Sequence, residues 1–167
     1  QDHCHNERKA AAGAMTLAHQ NFRRTELVAA MIDMAAEEVS HFRQVHDLLA
    51  EGGHTIGQDQ PDAYMGSLFK LLRRSNQAEF LLDRLVVFSV VEARGCERFR
   101  LAAEVMPEPR LKTFYEELFV CEARHHGVYL DLARLYFGRG PADARMTEVL
   151  EAEATILHGL PVRPALH

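Results

Sequence analysis

The sequence "FVCEARHHGVYLDL", residues 119–132, combines apolar residues at helical spacing with Glu122 and His125, which are three positions apart. On an α-helix, residues i and i+3 lie on the same face, so this carboxylate and this imidazole would point to one side. Carboxylate oxygen and imidazole nitrogen are both common metal ligands. The stretch therefore predicts a long helix that presents two ligands to one metal ion.

An earlier stretch, "EEVSHFRQVHDLL" at residues 37–49, has the same pattern. It aligns without a gap, so that Glu38 falls on Glu122 and His41 on His125, an offset of 122 − 38 = 84 residues. The sequence therefore predicts an internal repeat in which each half supplies one Glu-x-x-His pair.

Each pair is also preceded by a further glutamate at nearly the same distance. Glu7 lies 38 − 7 = 31 residues before Glu38, and Glu92 lies 122 − 92 = 30 residues before Glu122. One Glu from each of two helices, with Glu-x-x-His from each of two others, is the ligand pattern of di-iron carboxylate proteins. The predicted metal ligands are Glu7, Glu38, His41, Glu92, Glu122 and His125.

Chance is an alternative explanation for any single pair. With 16 Glu and 10 His in the chain, about one Glu-x-x-His is expected at random, and three occur. The third, Glu51 with His54, spans Gly52 and Gly53 and is not expected to be helical. Either helical pair alone also fits an exposed ion pair between neighbouring turns. The matching positions of all six residues favour the metal site.

Apolar periodicity and chain breakers predict an all-α fold, and no strand pattern is evident. Helices are expected over residues 2–20, 25–49, 76–105, 109–137 and 141–157, with a short helical turn over 67–73. Thr25 and Ser75 are the expected N-caps of the second and third long helices. These elements predict one domain over residues 1–167. Its architecture is an up-and-down four-helix bundle with a crossover between helices 2 and 3 and a short extra C-terminal helix.

Composition favours an ordinary globular protein. The chain has 167 residues, 47% of them hydrophobic, and a net charge of −5 that gives no general attraction to nucleic acid. The three cysteines form no CxxC pair, which favours a reducing compartment, and we expect the protein to be cytoplasmic. No apolar run approaches the roughly 18 residues that a membrane span needs.

Three segments carry a more specific resemblance: "DHCHNERKAAAGAM", "VVEARGCERFRLAAE" and "FYEELFVCEARHHGVYLDLA". Together they resemble the bacterial tRNA 2-methylthio-N6-isopentenyladenosine hydroxylases of the ferritin-like superfamily, over most of residues 2–137. The family's metal ligands fall on the same six residues. The resemblance implies a ferritin-like bundle with two iron ions, and a monooxygenase that uses dioxygen to hydroxylate the isopentenyl group beside the tRNA anticodon.

The resemblance also implies partners. The chain has no flavin or nicotinamide motif and no CxxC set, so two electrons would come from a separate reductase or ferredoxin-like donor. Contacts to tRNA phosphates are expected from basic residues near two turns, although a solvated basic surface fits them as well: Arg23, Arg24, Lys70, Arg73 and Arg74. Tyr64 and Phe69 are candidates for base stacking. We expect a monomer or small homo-oligomer.

Other side chains are weaker candidates for a role near the predicted ligands. Glu37, Asp47 and Asp131 are candidates to orient the imidazoles, with a solvated surface as the alternative. Four apolar residues could line a pocket for the prenyl group, with core packing as the alternative for each: Leu85, Phe88, Val91 and Phe99. Cys121 directly precedes a predicted ligand; a thiol that fills space between helices is the favoured interpretation, and a reactive thiol is the alternative. Cys4 is expected to be exposed, and no function is assigned to the histidines expected at or near the surface: His3, His5, His19 and His46.

Two other classes of function remain open. A ferritin-like iron store or ferroxidase uses nearly the same ligands and would assemble into a cage. A metal-free helical interaction protein is the second alternative. Size-exclusion chromatography separates a cage from a small oligomer, and iron content separates either metal protein from the metal-free bundle.

Overall fold

The structure, a computed structural model, describes residues 1–161; residues 162–167 of the predicted domain lie outside the described part. All regular structure within residues 1–161 is helical. The α-helices are α1 (Asp2–Gln20), α2 (Thr25–Glu51), α3 (Ala63–Leu68), α4 (Gln77–Val105), α5 (Pro109–Phe137) and α6 (Arg139–Gly159), and a 3-10 turn at Phe69–Leu71 follows α3. The described residues form two compact units, the first over residues 1–61 and the second over residues 62–161.

The first unit is an antiparallel pair of helices, α1 and α2, joined by a turn at residues 21–24. Leu17, Leu27 and Met31 are fully buried in it, and burial of such side chains stabilises by about 1.5–3 kcal/mol each. The Cys4 thiol contacts the carbonyl oxygen of Phe42 at 3.9 Å. Cys4 is therefore buried, contrary to the expectation of an exposed thiol, and burial raises the pKa of this thiol.

A non-helical segment after α2 completes the first unit. Gly53, at φ +75°, adopts the left-handed conformation that favours glycine where the helix ends. Further along, Asp59 accepts hydrogen bonds from Arg8 at 3.1 Å and Lys9 at 2.7 Å, and the hydrogen bond from Lys9 lowers the pKa of Asp59. These contacts tie the segment to the exposed side of α1.

The second unit is a longer antiparallel pair, α4 and α5, with α6 packed on both. Two buried carboxylates join these helices. Asp83 on α4 accepts hydrogen bonds from Arg73 at 2.7 Å and from Arg145 on α6 at 2.8 Å. Burial raises the pKa of Asp83, but the hydrogen bonds from the two arginines outweigh it and hold this pKa below its ordinary value.

The second buried carboxylate of this unit belongs to Glu153 on α6. It accepts from Arg94 Nε at 2.8 Å and from the Tyr64 hydroxyl at 3.0 Å. Burial, reinforced by the carboxylate, raises the pKa of Tyr64. Because both of these carboxylates, Asp83 and Glu153, have an arginine partner, the cost of removing them from water is offset.

Helix starts differ from the sequence predictions by short distances. Thr25 is the first residue of α2, and Arg24 is the N-cap position. Asn76, and not Ser75, caps α4 by accepting a hydrogen bond from the backbone N–H of Glu79 at 2.8 Å. Ser75 instead donates to the Glu79 carboxylate. Several polar residues of this segment can act as caps, so sequence alone identified the turn but not the capping residue.

The remaining differences concern the short elements. The helical turn predicted over 67–73 begins earlier, at Ala63, because Asp62 caps it by accepting from the N–H groups of Tyr64 and Met65. The last helix extends beyond the predicted 141–157 at both ends and spans 21 residues. Within the described part, no helix is both long and apolar enough to cross a membrane.

Candidate metal centre

The first unit brings three of the predicted ligands together, and we refer to Glu7, Glu38 and His41 as the first cluster. The Nδ1 atom of His41 lies 3.5 Å from Oε2 of Glu38 and 3.6 Å from Oε2 of Glu7. One donor atom from each of the three residues lies within 4.8 Å of the other two. All three side chains are buried. The cluster therefore joins the single glutamate of α1 to the Glu-x-x-His pair of α2.

The second unit repeats this arrangement in a second cluster of Glu92, Glu122 and His125. The Nδ1 atom of His125 lies 3.6 Å from Oε2 of Glu122, and donor atoms of the three residues lie within 4.8 Å of one another. Glu92 comes from α4 and the other two from α5. All three are buried, Glu92 with 9% of its surface exposed and His125 with 2%. The sequence repeat is therefore also a repeat of local geometry.

The donor set of each cluster suits a divalent metal ion. Donors about 2.1 Å from one ion, at angles of 90–110°, are roughly 3.0–3.4 Å apart. The carboxylate-to-imidazole distances of 3.5–3.6 Å are close to that range. Two buried carboxylates without a cation would be costly, and an ion would remove that cost. Oxygen donors with one imidazole suit iron or manganese better than softer metals.

Further side chains contact the ligands from outside each cluster. In the first unit, Nε2 of His3 lies 2.6 Å from Oε1 of Glu7. In the second unit, the Cys121 sulfur lies 3.6 Å from Nε2 of His125, on the opposite side of the ring from Glu122. Arg124 donates to this sulfur at 3.1 Å. The Cys121 thiol therefore does more than fill space, because it makes a polar contact with a predicted ligand.

Two residues expected to orient the imidazoles are elsewhere. Asp47 is exposed and contacts His46 at 3.1 Å and Arg43 at 3.8 Å. Asp131 is also exposed and lies 3.7 Å from Arg134. Both follow the pattern of solvated surface pairs, so the prediction for them was wrong. Glu37 is half-buried on α2, one residue before Glu38.

The predicted RNA-contacting residues fall into two groups. Arg23 is exposed beside Phe22, whose ring lies 5.5 Å from the guanidinium carbon of Arg23, and Arg24 is half-buried. Lys70 and Arg74 are exposed in the second unit, with Arg74 over the ring of Phe80.

Three other residues considered for RNA contact have different surroundings. Arg73 is bound to Asp83 and so is held by a structural ion pair. Of the two aromatics proposed for stacking, Phe69 is 40% exposed, whereas Tyr64 is buried and bonded to Glu153. Exposure therefore leaves Phe69, and not Tyr64, as a stacking candidate.

The residues considered as pocket walls differ in burial. Leu85 and Phe99 are buried, which agrees with the alternative of core packing. Phe88 and Val91 are half-buried. The Phe88 ring contacts Phe69 and Tyr129, with centroids 6.3 Å and 5.5 Å away.

The sequence of this chain is similar to those of known proteins. The family model described as tRNA-(MS[2]IO[6]A)-hydroxylase (MiaE) matches residues 1–167. The chain belongs to this family. Its MiaE relatives include the tRNA 2-(methylsulfanyl)-N(6)-isopentenyladenosine(37) hydroxylase of Pseudomonas putida, 35% identical over 151 residues, which cover 90% of this chain and 72% of that protein. The hydroxylase of the same name from Salmonella typhimurium is 32% identical over 129 residues, covering 71% of this chain and 47% of that protein.

A solved structure supports the fold class of this MiaE-family chain. Protein 43 with aldehyde deformylating oxygenase activity, from Synechococcus, matches with a TM-score of 0.93 and 32% identity, covering 99% of this chain and 84% of that one. This likeness confirms the predicted all-helical, ferritin-like fold class.

Sequence reasoning missed His3 as a candidate for the site. It was expected at or near the surface without a function, but His3 is 6% exposed and contacts Glu7. A signal was present, since a histidine four residues before a glutamate on a helix lies on the same face. His5 is buried as well, whereas His19 and His46 are exposed as predicted.

Proposed function

We propose that this chain is an oxygen-dependent di-iron monooxygenase that hydroxylates the isopentenyl group of 2-methylthio-N6-isopentenyladenosine next to the tRNA anticodon. The observation that carries the proposal is a pair of buried Glu-Glu-His clusters, in matching helical register, within a chain of the MiaE family. The named activity of the two curated relatives supplies the substrate.

The two clusters would hold two iron ions. The six ligands are Glu7, Glu38, His41, Glu92, Glu122 and His125. Their four carboxylates carry four negative charges, which match the four positive charges of two ferrous ions, so the loaded site is neutral. Neutrality matters because the side chains are buried and a net charge there would be costly. Bound ferrous iron would supply the reductive activation of dioxygen.

The protein's own residues have two tasks in this reaction. The carboxylates and imidazoles keep the ions at fixed positions, which a helical scaffold does more precisely than loops. Their burial limits access of water, which protects a reactive oxidant from side reactions. In addition, His3 and Cys121 contact individual ligands from outside the clusters.

Electrons would come from a separate reductase or ferredoxin-like protein. Cys4, Cys96 and Cys121 are all free thiols and form no CxxC pair. These cysteines do not match the four-cysteine spacing of common iron–sulfur clusters, which favours a separate electron donor. A tRNA substrate and free thiols favour the cytoplasm, and we propose a monomer or small homo-oligomer rather than a cage.

Exposed cations of the second unit are our candidates for tRNA contact. Lys70 and Arg74 are exposed near Phe69, which offers a partly exposed ring for stacking. Each lost phosphate contact lowers the slope of log affinity against log salt by about 1. We therefore expect Lys70→Ala and Arg74→Ala each to weaken binding of the anticodon stem-loop with this change in slope.

Nucleoside mass spectrometry tests the proposed activity. The host makes the methylthio-isopentenyl base but cannot hydroxylate it, and it expresses the native chain, Glu122→Ala or Glu117→Ala. Glu117 is an exposed glutamate on the same helix and serves as the control. We expect one added oxygen on the base with the native chain and Glu117→Ala, and none with Glu122→Ala. No added oxygen in an iron-loaded, well-expressed native chain would contradict the proposal.

Two further activities are tested with the purified native chain and Glu122→Ala. The Synechococcus protein is named for aldehyde deformylating oxygenase activity, so an aldehyde is offered together with a chemical reductant as electron donor. A ferritin-like store would instead elute as a large cage and take up many irons per chain. Deformylation without tRNA hydroxylation, or a cage with iron uptake, would replace the proposed function.

A further inference from the structure

Arginine and aromatic side chains alternate along the first turns of α4. The guanidinium carbon of Arg84 lies 5.6 Å from the centroid of the Phe80 ring and 5.7 Å from that of the Phe88 ring. These two rings stand one helical turn before and one helical turn after Arg84. The guanidinium carbon of Arg74, in the segment before α4, lies 5.5 Å from the centroid of the Phe80 ring. We refer to Arg74, Phe80, Arg84 and Phe88 as the arginine–aromatic row.

The row begins at the surface, and its second cation is buried. Arg74 is exposed, Phe80 and Phe88 are half-buried, and Arg84 is 9% exposed. Burial lowers the pKa of Arg84, but a guanidinium is not deprotonated in proteins. The row therefore places a positive charge next to two partly accessible rings, in surroundings where charges attract each other more strongly than in water.

The row leads along α4 toward the second cluster. Phe88 is one turn before Glu92 and Arg84 is two turns before it, so the three residues share one side of the helix. Eight residues of α-helix rise about 12 Å. The Phe88 ring also contacts the ring of Tyr129, with centroids 5.5 Å apart, and Tyr129 is one turn after His125 on α5. A ligand that extends from Arg84 past Phe88 would therefore reach the second cluster.

The charge of this region is opposite in sign to that of the whole chain. Residues 69–84 have a net charge of 4 − 2 = +2, whereas the chain has −5. The cations are Lys70, Arg73, Arg74 and Arg84, and the carboxylates are Glu79 and Asp83. Both carboxylates already accept hydrogen bonds from neighbouring side chains. The region is therefore complementary to an anionic ligand such as the phosphates of RNA.

A nucleotide with an apolar substituent on its base matches these features. The planar guanidinium of arginine binds two oxygens of a phosphate at once, and it does so while its faces contact aromatic rings. Enzymes that modify a base take the nucleotide out of its stack, so it enters the protein as an extended unit. The phosphate and the isopentenyl group are at opposite ends of that unit, just as Arg84 and Glu92 are separated along α4.

We propose that Arg84 binds a phosphate adjoining the modified adenosine of the tRNA, so that the isopentenyl group extends past Phe88 to the second cluster. This inference rests on the proposed function, since it requires a tRNA substrate. Lys70 and Arg74 are exposed and suit any phosphate of the loop. Arg84 is instead a substrate-binding residue for the one nucleotide that reacts, and its distance from Glu92 sets how far that nucleotide enters.

The test measures binding of synthetic anticodon stem-loops that contain the methylthio-isopentenyl adenosine, by fluorescence anisotropy at several salt concentrations. The proteins are the native full chain, Arg84→Met, Arg84→Lys and Arg98→Met. Arg98 is the matched control, because it is another arginine of α4 whose guanidinium carbon lies 5.0 Å from an aromatic centroid, that of Tyr64. Two further stem-loops have a neutral methylphosphonate in place of the phosphate on the 5′ or the 3′ side of the modified adenosine.

We expect Arg84→Met to bind the stem-loop at least about tenfold more weakly, because a hydrogen-bonded charge pair is lost. The slope of log affinity against log salt should fall by about 1, as for one phosphate contact. Arg84→Lys should keep the native slope but bind less tightly than the native chain, since an ammonium lacks the planar fork. Arg98→Met should match the native chain in both measurements.

The methylphosphonates identify the phosphate that Arg84 contacts. One of the two should weaken binding to the native chain, and the same one should have no further effect on Arg84→Met, because each change removes the same contact. If Arg84→Met does not fold, Arg84→Lys takes its place. The methylphosphonate should then weaken binding to Arg84→Lys less than binding to the native chain.

Three results would overturn the inference. The first is native affinity and native salt slope in Arg84→Met. The second is an equal loss in Arg84→Met and Arg98→Met, which would show a general effect of losing an arginine beside a ring. The third is full affinity of the native chain for both methylphosphonate stem-loops. A native chain that binds no stem-loop at all would contradict the proposed function as well, which separates the two failures.

Discussion

The two units of this protein carry the same cluster, but they differ in the rest of their buried polar residues. Among the described residues of the first unit, the buried polar side chains are the cluster and two histidines of α1: His3, His5, Glu7, Glu38 and His41. The second unit also buries Asp83 and Glu153, each bound by arginine. Buried charge is thus concentrated at the site in one unit and partly structural in the other.

This difference indicates how the buried carboxylates of each unit are neutralised. In the second unit, ion pairs inside the protein neutralise Asp83 and Glu153, and they join α4 to α6 without any ligand. In the first unit, the buried carboxylates are Glu7 and Glu38, whose proposed counter-charge is a metal ion. We therefore expect the first unit to depend more strongly on metal for its stability.

The largest expected effect comes from removing the feature that the two units share. Glu38→Ala and Glu122→Ala occupy matching positions, and each should lower tRNA hydroxylation by at least about 100-fold, because an essential metal ligand is lost. Nucleoside mass spectrometry and iron content measure both variants side by side. Retained activity in either variant would show that the two clusters are not equally required.

The next largest effect is a loss of stability expected when a buried ion pair of the second unit is broken. Asp83→Asn should destabilise the protein by about 3 kcal/mol, because it leaves the buried side of Arg145 without its charge partner. Asp59→Asn removes an exposed carboxylate of the first unit and should leave the urea midpoint nearly unchanged. Equal shifts of the two midpoints would contradict the distinction between buried and exposed pairs.

Lowering the pH should remove the stability that the Asp83 carboxylate contributes. The pKa of Asp83 is lower in the folded protein than in the unfolded chain, where it is about 3.9. Its contribution is therefore present above that value and is lost as the pH falls through the folded pKa. In metal-free protein, urea melts between about pH 5 and pH 3 should show a steeper loss for the native chain than for Asp83→Asn.

Removal of metal should destabilise the two units to different degrees. A ligand at 100 times its Kd stabilises the state that binds it by about 2.7 kcal/mol, which corresponds to roughly 100-fold slower exchange of amide hydrogens through opening. Hydrogen exchange by mass spectrometry, with and without a chelator, should show the larger acceleration in α1 and α2. A larger acceleration in α4 and α5 would show that the second unit, and not the first, depends more strongly on metal for its stability.

The smallest expected effect concerns the Cys121 contact. Cys121→Ala removes the sulfur beside Nε2 of His125, and because sulfur is a weak acceptor we expect a loss of iron affinity of about tenfold or less. Cys96→Ala is the control, since the Cys96 thiol contacts the carbonyl of Phe119 rather than a ligand. Equal effects of both substitutions on iron affinity would point to packing instead.

Sequence reasoning performed best where one periodic signal dominates. The bounds of α1 and α5 were predicted to the residue, because apolar periodicity runs between clear breakers such as Pro109 and Gly138. The six ligand candidates came from spacing and repetition, and the structure brings them together as two clusters of three. Their role as iron ligands stays a prediction that the variants above address.

The misses have a different origin. Asp47 and Asp131 were candidates to orient the imidazoles, but both face solvent, which agrees with the alternative of surface residues. The ion pair of Asp83 with Arg145 joins residues 62 positions apart, which no local pattern reveals. Burial of His3 likewise follows from packing of a whole helix rather than from its neighbours in sequence.

The single residue between α5 and α6 has a consequence for chemical synthesis. Gly138 has φ +82° and ψ 153°, a combination that is essentially restricted to glycine among the encoded residues. A Cβ added there would meet Pro141 Cδ at 3.9 Å, so space does not limit the substitution. Handedness alone does, and a semisynthetic chain with D-alanine at this position should therefore tolerate the added methyl group better than one with L-alanine. The junction of two long helices thus depends on a backbone conformation that L-amino acids rarely adopt.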